Sequence, residues 1–363
     1  MDVDRFLLDL TAASWYRDQL VHVERVPPRE ARSAKPSHPL QPSLVEALQR
    51  RGVWPLYLHQ AQAVDALARG ENVVVATPAA SGKSLCYHLP VMDSLISDRT
   101  ARALYLFPTK ALTQDQLRSF KELSHGLGPF RAEIFDGDTP THERASIRRG
   151  AQVVLTNPDM LHLGILPNHR AWARFFHRLR YVVVDEAHVY RGVFGSHVAA
   201  LLRRLRRVCG VYGVSPQFVL ASATIGNPKE LAERLVGLPF TLVDEDGAPY
   251  GGKRFVFWNQ HVVDEEKMTR RSASAEAAQL FSELVLQEVR TIVFVRSRRL
   301  AELVHLYARE QIRHKEPSLA RRISPYRASY LPEQRREIEQ ALFHGDLVGV
   351  SATTALELGI DVG

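Results

Sequence analysis

The stretch "NVVVATPAASGKSLCYHLP", from Asn72 to Pro90, decides the fold because it joins an apolar strand to a helix through a short loop. The loop is a variant of the phosphate-binding pattern that usually reads G-x-x-x-x-G-K-[ST]. Thr77 stands where that pattern has its first glycine, and alanines fill positions 79 and 80. A strand, a tight loop and a helix start direct backbone N–H groups toward one point. The segment therefore predicts a phosphate site whatever its loop side chains are.

Gly82, Lys83 and Ser84, at the end of the loop and the start of the helix, each have a predicted role. Gly82 is the position that most needs to lack a side chain. Lys83 is expected to reach the β- and γ-phosphates of a nucleotide, and Ser84 to hold Mg²⁺ through its hydroxyl. Ala79 and Ala80 keep the loop slim, and since alanine adopts positive φ only at a cost, we expect no left-handed geometry there. If Gly-Lys-Ser stood alone, a helix start with an exposed lysine would be the favoured interpretation.

Short apolar runs alternate with helical periods along the chain, which predicts strands buried on both faces of a parallel sheet. The first set is "NVVVA", "ALYLFP", "AEIFDG", "QVVLTNP", "YVVVDE" and "QFVLASAT". A turn-rich segment, "DEDGAPYGGKR", predicts a domain boundary near residue 250. A second set follows it: "FVFWNQ", "TIVFVRS", "ISPYRA" and "VGVSATTAL". We therefore predict an α/β protein with two similar units in tandem.

The run "YVVVDEAH" delivers two acids, Asp185 and Glu186, at the carboxyl end of a buried strand, the edge where α/β sheets place their ligands. Adjacent acids after a strand are more often a solvated turn. Because a phosphate loop precedes them, we predict that Asp185 binds Mg²⁺, mostly through water, and that Glu186 polarises an attacking water.

Composition limits the partners and the compartment. The chain has 363 residues and a formal net charge of +7, which favours a polyanion such as nucleic acid, although a basic solvated surface is an equal alternative. Cys86 and Cys209 are the two cysteines, so neither a disulfide framework nor a zinc site is predicted. The N-terminus lacks the basic start of a signal peptide, and no apolar run is long enough to span a membrane. We predict a cytoplasmic protein without a membrane partner.

The motifs together resemble a known family. "DEAH" at Asp185 to His188 and "SAT" at Ser222 to Thr224 are similar to motifs II and III of superfamily 2 helicases, the DEAD/DEAH-box proteins. "LYLHQAQAV" resembles the Q motif, "FPTKALTQDQ" motif Ia, "TNPDMLH" motif Ib, "TIVFVRSR" motif IV and "SATTALELGIDVG" motif V. The resemblance spans residues 55 to 363. It implies two tandem RecA-like parallel-sheet domains that clamp ATP and Mg²⁺ between them and move along nucleic acid.

A narrower resemblance concerns the small residues of the phosphate loop. "ASGKSLCYHLP", "VYRGVFGSHVA" and "TALELGID" are similar to bacterial and fungal DNA-repair helicases that carry a cysteine-rich C-terminal module with a bound metal. In that group a small residue commonly replaces the loop glycine, and movement is usually 3′ to 5′. The partner implied is single-stranded DNA or a tailed duplex, although the sequence does not decide between DNA and RNA.

The resemblance assigns roles residue by residue. The catalytic residues implied are Lys83, Asp185, Glu186 and His188, with Ser84 and Asp185 holding the Mg²⁺ of ATP. The nucleotide pocket implied comprises Tyr57, Gln60, Thr77, Pro78, Ala79, Ala80, Ser81, Gly82, Lys83, Ser84 and Asp361, with Gln60 reading the adenine edge. Nucleic-acid contacts are implied for Thr109, Lys110, Thr156, Asn157, Thr353 and Thr354. Ser222 and Thr224, with His188, would couple the two sites. The clusters "RRLRR" and "RSRR" add to the track or, more often for such runs, form a solvated face.

The domains predicted are an N-terminal helix and proline-rich arm over 1–50, a RecA-like ATP-binding domain over 51–248, and an incomplete RecA-like domain over 249–363. Within the arm, we expect one amphipathic helix from residue 1 to about 24. Because the chain ends before motif VI, which supplies the arginines for phosphoryl transfer, we expect a truncated form that binds ATP and hydrolyses it poorly.

The expected function is an ATP-dependent nucleic-acid helicase or translocase. The alternative is an ATP-binding nucleic-acid clamp or regulator that does not unwind. A small-molecule P-loop kinase is disfavoured because it needs neither "SAT" nor a second α/β unit.

Overall fold

A computed structural model of the chain describes residues 2–264, 266–267, 269–327 and 330–353. These residues belong to two compact units. The larger unit is Arg29–Tyr250, and the smaller unit combines described residues of the segments 1–28 and 251–363.

The strands are β1 (Leu20–Val26), β2 (Ser33–Ala34), β3 (Leu56–Tyr57), β4 (Val73–Ala76), β5 (Arg102–Leu106), β6 (Ala132–Ile134), β7 (Val153–Thr156), β8 (Leu179–Val184), β9 (Gln217–Ser222), β10 (Thr241–Val243), β11 (Lys253–Trp258), β12 (Val262–Asp264), β13 (Thr269–Arg270), β14 (Thr291–Phe294), β15 (Ile323–Tyr326) and β16 (Gly349–Ala352). The α-helices are α1 (Val3–Ala12), α2 (Pro42–Arg50), α3 (Leu58–Ala68), α4 (Lys83–Ser97), α5 (Lys110–Ser124), α6 (Thr141–Gly150), α7 (Pro158–Met160), α8 (Ala173–Phe176), α9 (Gly192–Val211), α10 (Pro228–Val236), α11 (Ala273–Leu286), α12 (Arg298–Lys315) and α13 (Pro332–His344). A π-helical turn covers Leu161–Ile165, and 3₁₀ turns cover His169–Trp172, Ala187–Val189 and Leu319–Arg321.

The larger unit contains a seven-stranded sheet in the order β10-β4-β9-β8-β5-β7-β6, with every neighbouring pair parallel. Its inner strands β4, β5, β7 and β9 are buried on both faces, whereas the edge strands β10 and β6 are partly buried. Val73 and Val75 of β4 pack into the core on one side with residues of α3, α4 and α5, whereas Val74 packs on the other with residues of α9 and α10. The prediction of an α/β protein with buried parallel strands is confirmed for this unit.

The smaller unit carries a second parallel sheet, in the order β14-β16-β15. Its core joins α11 and α12 to the sheet through Phe281, Val285 and Val304, all of them buried. A two-stranded antiparallel ribbon, β1 with β11, belongs to the same unit.

The N-terminal segment differs from the prediction of one helix to about residue 24. Helix α1 ends at Ala12, and Leu20–Val26 is a strand that pairs with Lys253–Trp258. The run "FVFWNQ" is therefore half of an antiparallel ribbon and not a strand of the second parallel sheet. Pairing across more than 200 residues leaves no local signal, which is why the sequence pattern missed it.

The proline-rich residues after Arg29 belong to the larger unit, where β2 pairs with β3 and α2 buries Leu44 and Leu48. The structure thus divides the predicted segment 1–50 between two units, and its treatment as a separate domain stays a prediction. Among the described residues, no helix has the length and apolar character to cross a lipid bilayer.

Candidate functional site

Three loops meet at the carboxyl edge of the seven-stranded sheet. Strands β4, β9 and β8 are adjacent and parallel, so the segments that follow them lie side by side. These segments are the loop from Thr77 to Gly82, the "SAT" stretch that begins at Ser222, and the acids from Asp185 onward. The sheet order therefore brings together the residues that the sequence predicted for nucleotide chemistry.

The loop turns into α4 at Gly82, whose φ of +78° lies in the left-handed region. A Cβ at this position would lie 2.7 Å from Nε2 of Gln60, so both backbone and neighbours favour glycine. Ala80 has a φ of +59°, which contradicts our expectation that the loop avoids left-handed geometry at its alanines. Inside the loop, the Thr77 and Ser81 hydroxyls lie 2.7 Å apart and both side chains are buried. This internal hydrogen bond joins the two ends of the turn that contains Ala80.

Lys83 directs its ammonium group into the loop. Its Nζ donates to the carbonyl oxygens of Thr77 at 3.0 Å and Pro78 at 2.7 Å. Burial lowers the pKa of Lys83, and the nearby carboxylates of Glu186 and Asp185 partly offset that effect. The cation is thus held at the mouth of a loop whose backbone N–H groups begin α4, the arrangement that suits a phosphate.

Asp185 is buried at the end of β8. Burial, and next the charge of Glu186, raise the pKa of Asp185 to about 6. Two donors hold its carboxylate, since the N–H of Glu186 lies 2.8 Å from Oδ1 and the Tyr87 hydroxyl lies 2.9 Å from Oδ2. Glu186 itself adopts φ +49°, and burial raises its pKa while the Lys83 charge lowers it. A non-glycine residue in this region costs about 1–3 kcal/mol, and such strain is common at functional sites.

The donor set fits a magnesium ion bound together with a nucleotide. Ser84 follows Lys83 at the start of α4 and is half-buried, and Asp185 offers carboxylate oxygens at the neighbouring strand end. Mg²⁺ prefers such hard oxygen ligands, completed by phosphate oxygens and water. Within the described ranges, no three His, Cys, Asp or Glu side chains gather into a metal cluster, so this cation would depend on the phosphates for its remaining ligands.

His188 connects the "DEAH" and "SAT" segments. Its Nδ1 accepts from the backbone N–H of Ala223 at 3.2 Å and lies 3.3 Å from Oε2 of Glu186. The predicted coupling role of Ser222 and Thr224 with His188 stays a prediction. In the structure the Ser222 hydroxyl donates to the carbonyl of Ala223 at 2.9 Å, and Thr224 is exposed. In this structure the link between the two motifs therefore passes through the backbone of Ala223.

Gln60 is buried, and both ends of its amide are engaged by the protein. Its Oε1 accepts from the N–H of Tyr57, and its Nε2 donates to the carbonyl of Gly82, each at 3.0 Å. Gln60 thus ties the start of α3 to the phosphate loop. The predicted adenine contact, for which Tyr57 was the packing partner, stays a prediction, and it requires this amide to exchange at least one partner.

The predicted nucleic-acid residues of the larger unit differ in accessibility. Lys110 is exposed and pairs with Asp138 at 2.7 Å, while Thr109 caps α5 by accepting from the N–H of Leu112. Asn157 caps α7 by accepting from the N–H of Met160 at 2.8 Å. Both side chains therefore serve as helix caps in this structure, and their predicted phosphate contacts stay predictions.

Thr156 departs from its predicted role. Its side chain is fully buried, and its hydroxyl donates to the carbonyl of Phe135 at 2.6 Å. A side chain in that position cannot hold a phosphate in solvent, so we correct the assignment. Thr156 is the last residue of β7. Its side chain lies on a buried face of the strand, so its hydroxyl points into the protein.

In the smaller unit, Thr353 follows β16 and is half-buried. Thr354 and Asp361 lie outside the described residues, so their predicted roles stay predictions. Sequence reasoning missed Tyr87, although a signal existed. Tyr87 lies four residues after Lys83 on α4, which is the spacing that places two side chains on one face of a helix.

The fold is that of the RecA-like helicases. The DEAD/DEAH box helicase family matches residues 57–231, so this part of the chain is a DEAD/DEAH helicase domain. The resemblance inferred from the motifs is confirmed at that level.

The chain is 47% identical to the uncharacterized ATP-dependent helicase YprA of Bacillus subtilis over 347 residues, which are 95% of this chain and 46% of YprA. It is 39% identical to the ATP-dependent helicase HRQ1 of Saccharomyces cerevisiae over 99% of this chain and 34% of HRQ1. Among solved structures, the helicase MrfA bound to DNA superposes with a TM-score of 0.93 at 45% identity, covering 100% of this chain and 48% of MrfA. The chain thus spans between about a third and half of these relatives.

Proposed function

We propose that this chain is the ATP-binding and strand-tracking core of an ATP-dependent DNA helicase. The observation that carries the proposal is the convergence of Lys83, Asp185 and Glu186 at one sheet edge, with His188 joined to the neighbouring "SAT" segment. A structure of MrfA bound to DNA and AMPPNP, similar to this chain with a TM-score of 0.92 and 45% identity, supports DNA and ATP as the two ligands.

In this proposal each residue has a chemical task. Lys83 would exchange its loop carbonyls for phosphate oxygens, and Ser84 and Asp185 would hold Mg²⁺, which would neutralise phosphate charge. Glu186 orients the attacking water and accepts its proton. His188 transmits the state of these carboxylates to Ala223 and hence to the "SAT" segment. Thr109, Lys110 and Asn157 hold one strand by its backbone.

The finer parts of the proposal come from the resemblance. They are a preference for single-stranded DNA or a tailed duplex, movement 3′ to 5′, and a cytoplasmic location. Tyr57, Pro78, Ala79 and Asp361 are included in the nucleotide pocket on the same basis, as are Thr353 and Thr354 in the nucleic-acid track.

A binding experiment with two variants tests the nucleotide assignment. Lys83→Ala should weaken the affinity for a fluorescent ATP analogue by about a hundredfold, because a charged phosphate contact in a partly buried site is lost. Glu186→Gln should retain that affinity and abolish any turnover, because the general base is gone. Lys110→Ala, which alters an exposed lysine outside the loop, is the matched control and should bind nucleotide like the wild-type chain.

Wild-type affinity in Lys83→Ala would contradict the phosphate site. Strand displacement on a tailed duplex then separates a helicase from a clamp. A chain that binds both ligands and displaces no strand at any ATP concentration would favour the clamp.

A further inference from the structure

A buried tyrosine hydroxyl lies between the nucleotide carboxylate and a second helix. The Oη atom of Tyr87 lies 2.9 Å from Oδ2 of Asp185 and also 2.9 Å from Oε1 of Gln116. Tyr87 belongs to α4, Asp185 follows β8, and Gln116 belongs to α5. One hydroxyl therefore links its own helix, α4, to α5 and to the segment that follows β8.

The chemistry of the phenol makes its two contacts unequal. A phenol has one proton to donate, and it cannot serve two acceptors fully. The ionised carboxylate of Asp185 is the stronger acceptor, since hydrogen bonds to charged groups are about twice as strong as neutral ones. Oε1 of Gln116 faces the same hydroxyl as a neutral and weaker acceptor for that proton. This gives a chain from Gln116 through Tyr87 to Asp185.

Gln116 lies on the helix whose start is predicted to contact nucleic acid. It is six residues after Lys110, which is about 9 Å along the axis at 1.5 Å per residue. Thr109 caps the same helix. A helix of 15 residues moves largely as one body. A displacement of α5 at Gln116 therefore also displaces its first turn.

We propose that Tyr87 is a positioning residue that orients the Asp185 carboxylate for Mg²⁺-nucleotide and links it to α5, and thereby to the bound strand. This inference rests on the proposed function and adds a residue to the same site. When Asp185 engages Mg²⁺-nucleotide, its oxygen shares the phenol proton less, and the hydroxyl turns toward Gln116. The contact between α4 and α5 then changes with the state of the nucleotide.

The same aromatic cluster offers a matched control. Tyr105 is also fully buried, and its ring centroid lies 5.5 Å from that of Tyr87. Its hydroxyl lies 3.2 Å from Nδ1 of His88. Tyr105→Phe therefore removes a buried phenol hydroxyl from the cluster, as Tyr87→Phe does, but leaves both contacts of Tyr87 in place.

The test uses the 363-residue chain, a fluorescent ATP analogue titrated with Mg²⁺, and a labelled oligothymidylate whose anisotropy reports binding. Tyr87→Phe should raise the half-saturating Mg²⁺ concentration about threefold to tenfold. It should also bring the factor by which nucleotide changes oligonucleotide affinity close to one. Gln116→Met should reduce that factor while keeping the Mg²⁺ response within about twofold of wild type. Tyr105→Phe should match the wild type in both measurements.

The outcomes separate the two proposals. If the wild-type chain binds no nucleotide, the proposed function is contradicted, and this inference is contradicted with it. If it binds nucleotide and Tyr87→Phe behaves like wild type, or Tyr105→Phe shows the same losses, the positioning role is overturned and the proposed function stands. If the wild-type coupling factor is one, or Gln116→Met leaves a larger factor unchanged, the link to α5 is overturned.

Discussion

The Nδ1 atom of His188 accepts a hydrogen bond from the backbone N–H of Ala223 at 3.2 Å. The donor is a backbone group, so the contact does not depend on the side chain at position 223. The residue types of a sequence motif therefore do not reveal it. His188→Ala should reduce the coupling between nucleotide and oligonucleotide about threefold to tenfold, since one hydrogen bond contributes about 0.5–1.5 kcal/mol. Anisotropy titrations with and without the ATP analogue measure this coupling.

Thr224→Ala is the control for that experiment, because Thr224 is exposed and the contact uses the backbone beside it. It should keep at least half of the wild-type coupling. The reverse order, with Thr224→Ala more damaging than His188→Ala, would return the role to the side chain that the sequence predicted.

Ala80 and Ala79 form a natural pair for measuring backbone strain. Ala80 adopts φ +59°, whereas Ala79 has no positive φ. Replacement by glycine frees the unfolded chain equally at both positions, at a cost of about 0.5–1 kcal/mol. Only at Ala80 does glycine also relieve a left-handed backbone, which costs alanine about 1 kcal/mol or more. Ala80→Gly should therefore exceed Ala79→Gly in free energy of unfolding by about 1 kcal/mol in urea titrations, and equal values would rule out the strain.

Local pattern and sheet topology explain how much of this protein was predictable. Alternation of apolar runs and helices gave the parallel sheet, and because carboxyl ends of neighbouring strands meet, the approach of Lys83 to Asp185 followed from it. The pairing of Leu20–Val26 with Lys253–Trp258 was not predictable, since both partners are short and distant in sequence. The orientation of Thr156 was missed for another reason. A polar residue at a strand end can face solvent or core, and only the packing of β7 decides which.

Thr156 and Lys110 should separate stability from nucleic-acid binding. Thr156→Val removes the buried hydroxyl that bonds Phe135, so the free energy of unfolding should fall by about 1 kcal/mol while oligonucleotide affinity stays within twofold. Lys110→Ala should do the opposite. It should leave stability unchanged and lower the salt dependence of binding by about 0.7 in the log–log slope for a single strand.

Asp138→Asn completes that comparison, because Asp138 pairs with Lys110 at 2.7 Å. Removing its charge frees the lysine and should tighten oligonucleotide binding. A Thr156→Val chain that lost affinity for the oligonucleotide without losing stability would restore Thr156 to the binding track.

His88 should make the fold sensitive to acid. It is fully buried on α4, and burial lowers its pKa from 6.5 to about 3. Between these values the unfolded chain binds a proton that the folded chain does not, so stability is retained above pH 6.5 and lost as the pH falls. At about 1.4 kcal/mol per unit, the contribution of His88 to the free energy of unfolding is about 2 kcal/mol smaller at pH 5 than at pH 7.

His88→Gln places a neutral amide near the Tyr105 hydroxyl and removes this titration. Urea unfolding at both pH values should show a loss about 2 kcal/mol smaller in His88→Gln than in wild type, because the other titrating groups cancel in the comparison. Identical losses in the two proteins would show that His88 takes up its proton while the chain remains folded.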